Sequence, residues 1–121
     1  MLSLPLPVRI FLCTQPADMR RSFDGLAQLV RQFLGADPLS GHLFVFRSKR
    51  GDRLKLLYWD SDGLAIWYKR LEKGTFRFPD ATGNGQGVEI RAADLTMLLD
   101  GVDLDSVKRQ KRYRRPAATA R

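Results

Sequence analysis

Apolar positions along the chain switch between two periods. Met19, Phe23, Leu26, Val30 and Phe33 recur at steps of four, three, four and three, the repeat of one helical face. Leu29 and Leu34 widen that stripe, while Arg20, Arg21, Gln28, Arg31 and Gln32 fall on the other sides. Gly25 weakens the helix by about 1 kcal/mol relative to alanine, which places its start near Ser22. Gly35 stops it and Pro38 prevents a restart. Before it, Val8 to Cys13 is a short apolar run that reads as a strand, with Arg9 facing solvent, and residues 1–7 read as an extended lead-in.

After the helix the period falls to two. Leu43–Arg47, Arg53–Trp59 and Leu64–Leu71 are runs of β-formers, and together they predict a three-stranded antiparallel meander. Each turn fits a three-residue loop closed by a left-handed glycine, Gly51 and then Gly63. Loop length sets register, and register sets which side chains share a face. On that register Arg47, Arg53, Lys55, Leu57, Trp59, Trp67, Lys69 and Arg77 share one face. Phe44, Phe46, Leu54, Leu56, Tyr58, Leu64, Ile66, Tyr68, Phe76 and Phe78 share the other, a core face. The first face has two readings. Cations beside two indoles suit a polyanion with bases to stack; the same residues also make an ordinary solvated face, its indoles under lysine stems or the N-terminal helix.

Thr75 to Phe78 reads as a further strand closed by Pro79, followed by a polar glycine-rich loop over residues 80–87. Gly83, Gly85 and Gly87 do not make a phosphate cradle, because a strand, Val88 to Arg91, follows where a helix would be needed. Ala92 to Asp100 reads as a short helix with Leu95, Leu98 and Leu99 inward and Gly101 at its end. The expected class is α+β: an antiparallel meander with both helices packed on one face. Residues 1–105 form the single domain, with 103–107 as a linker within and beyond its end, and 106–121 a basic, disordered tail.

Charge sharpens this picture. The chain of 121 residues carries 21 Lys and Arg against 13 Asp and Glu, a net +8. Seven of the basic residues lie in 108–121 with no acid among them, which leaves a body near +1. Lys108, Arg109, Lys111, Arg112, Arg114 and Arg115 therefore join Lys49 and Arg50 of the first hairpin tip as candidate phosphate contacts. Nucleic acid is the commonest partner of such a stretch, an acidic membrane surface the second. One cysteine excludes an internal disulfide, and Cys13 lies in an apolar run as a small hydrophobe. There is no run of eighteen apolar residues and no basic leader, so a cytoplasmic protein without a membrane partner is expected.

Catalytic chemistry finds little support. Asp60, Asp62 and Glu72 are the best candidates for a Mg²⁺ site, but aspartates are also ordinary turn residues and no further acid joins them. His42 has no ligand partners, and neither it nor Cys13 sits in a nucleophilic arrangement. The residues describe a binding protein without a cofactor or metal rather than an enzyme.

The stretch LFVFRSKRGDRLKLLYWDSDGLAIWYKRLEKGTFRFP resembles the signature block of the TnpB-type accessory proteins of the insertion-sequence-66 family. RIFLCTQPADMRRSFDGLAQLV resembles the family's opening block and IRAADLTMLLDGVDL its closing helix, so the likeness covers about residues 8–105. This family is distinct from the RNA-guided nucleases that share the name TnpB. The resemblance implies a role in transposing a bacterial mobile element, beside a separate transposase that cuts and joins DNA. It transfers no catalytic or ligand residue. Two partner readings follow: a DNA-binding protein that grips the element through its cationic face and tail, or an interaction module that binds the transposase or a second copy of itself without touching DNA.

Overall fold

Hydrogen bonding orders the chain around its first strand. The computed structural model describes residues 8–79, 87–103 and 108–109. β1 (Ile10–Cys13), β2 (Leu43–Arg47), β3 (Arg53–Asp60), β4 (Gly63–Arg70) and β5 (Gly87–Ile90) make one sheet in the order β4-β3-β2-β1-β5. β2, β3 and β4 form the expected meander. The sheet is nevertheless mixed, which corrects the antiparallel expectation: β1 runs parallel to β2. A parallel neighbour needs a long crossover, and α1 (Phe23–Leu34) supplies it. Ser22 precedes α1, and Gly35 at φ 57 ends it, its N–H donating to the Val30 carbonyl.

Both hairpins depart from the predicted loops by one residue, in opposite senses. Ser48 and Arg53 close the first, leaving four loop residues, Lys49–Asp52. Asp60 pairs with Gly63 in the second, leaving only Ser61 and Asp62. Gly51 is left-handed as expected, at φ 81, but Gly63 is not; Ser61 takes the positive φ, 58, because a two-residue loop places it there. The Asp62 N–H turns back to the Asp60 carbonyl. The two differences shift β4 by two residues against β2, which leaves the facing of those strands unchanged, and turn β3 over. Phe44 lies beside Leu57, Phe46 beside Lys55, and Leu56 beside Trp67. Trp59 and Trp67 therefore stand on opposite faces of the sheet.

Both faces are covered, so both are apolar. On one, Cys13, Phe44, Phe46 and Leu57 pack under Leu26, Ala27, Leu29 and Val30 of α1. On the other, Leu12, Val45, Leu54 and Leu56 pack under Leu95 and Leu98 of α2 (Ala92–Leu99), with Phe76 and Phe78 alongside. The helices thus lie on opposite faces, not one. Residues Thr75 to Phe78 are irregular rather than a strand. Arg47 holds this segment in place: its guanidinium donates to the Phe76 carbonyl at 2.9 Å and lies 4.3 Å from the Phe78 ring centroid. Phe23, expected in the apolar stripe, is 45% exposed.

Val102–Asp103 (β6) pairs antiparallel with Lys108–Arg109 (β7), so the stretch read as tail begins with a short ribbon. The lead-in 1–7, most of the glycine-rich loop (80–86), the linker 104–107 and residues 110–121 lie outside the described residues. No helix among the described residues is long and apolar enough to cross a membrane.

Candidate nucleic-acid interface

The turned β3 redistributes the cations and indoles that sequence placed together. Lys55 is 7% exposed and faces α1. Its ammonium donates to the carbonyls of Met19 at 2.8 Å and Arg21 at 2.7 Å, and lies 4.6 Å from the Tyr68 ring centroid. A lysine so enclosed is a structural bond, not a phosphate contact. Arg47 is half-buried against Phe76 and Phe78; burial, then the charge of Arg77, holds its guanidinium below the ordinary range. Trp67 packs against the cluster that includes Leu95 and Leu98, and half-buried Trp59 pairs with Leu64. Lys69 and Arg77 are exposed, with Lys69 beside Leu54 at the end of β4. Lys108 and Arg109 lie in β7, while Lys111, Arg112, Arg114 and Arg115 fall outside the described residues. The single cationic-aromatic face is therefore not formed.

A different cluster is. Lys49, Arg50 and Arg53 border a concavity of roughly 260 Å³, together with Ala17, Asp18, Met19, Ser48 and Asp52. The tip is built to hold its shape. Ser48 N–H donates to Arg53 O, Gly51 N–H to Ser48 O, and Arg53 N–H to Ser48 Oγ at 3.1 Å. From behind, the Phe76 N–H donates to Gly51 O at 2.8 Å and the Leu71 N–H to Asp52 O at 2.7 Å. A Cβ on Gly51 would come within 3.3 Å of Thr75 Cβ, so this turn needs glycine for both its φ and its packing. The facing wall, residues 17–21, is tied down by the Lys55 bonds and by Ala17 N–H to Arg47 O at 2.9 Å.

Charge in this corner is unbalanced. Among the described residues neither Lys49 nor Arg50 forms an ion pair. Arg53 stands opposite Arg70 across the β3–β4 ladder, a like-charge pairing that opposes folding. The Arg53 guanidinium reaches only the neutral Tyr68 hydroxyl, at 3.3 Å, while Arg70 pairs with Glu72 at 3.0 Å. Asp18 does not offset these cations, because Arg20 binds both its oxygens at 2.7–3.1 Å. The Arg20 side chain, then its N–H, lowers the Asp18 pKa to about 2. The carboxylate–guanidinium contact is thus complete above the ordinary aspartate range and is lost as pH falls through about 2. In an Arg20→Ala variant the Asp18 carboxyl is expected to titrate higher, yet still below 3.8, since the residue-20 N–H still donates. A carbon-detected NMR titration checks this, and an unchanged midpoint would contradict it.

Sequence reasoning found Lys49, Arg50 and Arg53 but missed the wall opposite them, because nothing in residues 17–21 signals that β3 holds them. One signal was present: Lys55 sits between Leu54 and Leu56 in a run with no polar neighbour, where a lysine needs internal acceptors. Asp60 and Asp62 lie at the second turn, at the opposite end of β4 from Glu72, and no three of His, Cys, Asp and Glu gather among the described residues.

Comparison with known proteins adds a family. The model of the family described as "IS66 Orf2 like protein" matches residues 8–109. An uncharacterized protein of Sinorhizobium fredii, y4jC, is 42% identical over 113 residues, covering 93% of this chain and 94% of its own. A second from the same organism, y4hO, is 41% identical over 96 residues, 79% of this chain and 82% of its own. No solved structure matches.

Proposed function

Since the chain belongs to the IS66 Orf2-like family, which suggests an accessory role in insertion-sequence transposition, we propose that it serves that role by holding DNA without cutting it. One observation carries this reading: three cations, none of them in an ion pair among the described residues, border a braced concavity at one end of the sheet. Lys49 and Arg50 meet phosphates and Arg53 lines the floor. The basic residues of 108–121 add further contacts. Such contacts position a duplex and give affinity without sequence information. The transposase supplies the chemistry on the DNA held in this way.

Paired Lys49→Ala and Arg50→Ala substitutions test the reading. Two lost phosphate contacts lower the slope of log affinity against log salt by about 1.8. Affinity near 50 mM salt falls by about ten-fold or more, equally for element ends and random duplex. Removal of residues 110–121 lowers the slope further. A gel-shift series at two salt concentrations reads all three, and equal slopes for wild type and variant would overturn the proposal. Retained binding to the transposase with no DNA binding in any form would favour the interaction-module reading instead.

A further inference from the structure

β4 is an eight-residue edge strand, and among the described residues nothing pairs with its outer side. The other edge, β5, has four residues and carries Glu89, paired with Arg9 at 2.6 Å. β4 carries its charges, Lys69 and Arg70, only at its end. Leu64, Ala65, Ile66, Trp67 and Tyr68 are consecutive, uncharged and all partly exposed, Tyr68 to 47%. Proteins that stay monomeric usually blunt such an edge with a charge, a proline or a bulge. We infer that β4 pairs antiparallel with β4 of a second copy, about a two-fold axis at Ile66.

The backbone fixes which registers are available. The Leu71 N–H bonds to Asp52 O, so β4 bonds to β3 through its odd-numbered residues. The N–H and C=O groups of Leu64, Ile66, Tyr68 and Arg70 point outward. An axis at Ile66 lets those groups bond to their counterparts in the second copy. It sets Leu64 beside the second copy's Tyr68 and Ala65 beside its Trp67, a small residue against a large one on each side. It also sets Asp62 beside Arg70, twice. The turn that leads into the strand carries Asp62, and the strand ends on Lys69 and Arg70. Antiparallel self-pairing therefore matches opposite charges at both ends, which a parallel pairing or an axis at Trp67 does not. The contact is isologous, so it closes at two copies and leaves β5 as the outer edge of a ten-stranded sheet. Glu72 is then in competition with Asp62 for Arg70, an exchange between two exposed carboxylates.

Sedimentation equilibrium of the full chain without DNA tests this. Wild type is expected to associate to a dimer and no further. Asp62→Arg, which sets an arginine opposite Arg70 at each end of the pairing, weakens dimerisation by about ten-fold or more. Arg70→Asp does the same, and the double variant Asp62→Arg, Arg70→Asp recovers most of the loss. Thermal melts confirm that each variant is folded; should Asp62→Arg fail to fold, Arg70→Asp alone carries the comparison with the double variant. A wild type that stays monomeric, single variants that dimerise as tightly as wild type, or a double variant no better than the singles would each overturn the pairing. So would association that appears only after removal of residues 110–121. None of these readings involves nucleic acid, so they stand or fall apart from the DNA proposal.

Discussion

Replacing Lys55 by methionine is expected to cost about 2–3 kcal/mol of stability and to leave the salt dependence of DNA binding, measured where the variant is folded, unchanged. The ammonium donates to the Met19 and Arg21 carbonyls from a site 7% exposed. Hydrogen bonds to a charged group are worth about 1.5–3 kcal/mol each, and the two carbonyls would lose a buried donor. Methionine fills similar space and removes the cost of enclosing an ammonium, which offsets part of the loss. The melting temperature should fall by roughly 10 °C for a chain of this size. The released segment, 17–22, should become the first site of proteolysis. The sequence alone places Lys55 among the DNA contacts, so two readouts separate the roles. Wild-type stability with a flatter salt dependence would return it to the interface; lost stability with an unaltered salt dependence keeps it in the frame.

A larger effect is expected at Phe76. Its ring is fully buried among Val45, Leu54 and Leu56, on the face capped by α2. Phe-to-Ala changes at such sites cost about 3–5 kcal/mol, part lost transfer energy and part the cavity left behind. Here the loss extends to the basic corner. The Phe76 N–H holds Gly51 O, and the Phe76 carbonyl accepts from Arg47. Once the ring no longer anchors the segment, the loop carrying Lys49 and Arg50 loses its brace. Urea unfolding of Phe76→Ala should show the midpoint drop. Hydrogen exchange should show the Gly51 N–H, bonded to Ser48 O, opening ahead of the β2 and β3 amides. A loss under about 1 kcal/mol would mean that the ring does not plug this layer.

The elements were largely legible in the sequence; the way they face was not. The helical repeat from Phe23 to Leu34, its glycine stop, and the starts of β2 and β3 follow from local chemistry alone. Facing depends on loop length, and one residue inverts a strand. Gly51 marks a left-handed position equally well in a three- or a four-residue loop, and Gly63 proved to be the first residue of β4 instead of the last of a turn. Composition held a hint. Leu43–Phe46 and Leu56–Trp59 are continuous runs without a charge, as in strands buried on both sides, whereas a half-solvated sheet alternates. That hint asks for a layer on each face, and the helices provide it. The basic corner was half legible: its hairpin cations stand out, but the wall at Asp18 and Met19 comes close only through β1–α1–β2 and Lys55.

β1 lies inside the sheet, with β2 on one side and β5 on the other. Its neighbours are far apart along the chain: Arg9 bonds to His42, 33 residues on, and to Glu89, 80 residues on. During synthesis the first strand can dock on β2 once the helical crossover has emerged, but its second flank stays open until the ribosome has made β5, about 75 residues later. Contacts this distant along the chain slow folding, and an unfilled flank on a nascent chain is a route to aggregation. Chains truncated before residue 87 should therefore survive poorly in a cell even though the helix and the entire meander are present.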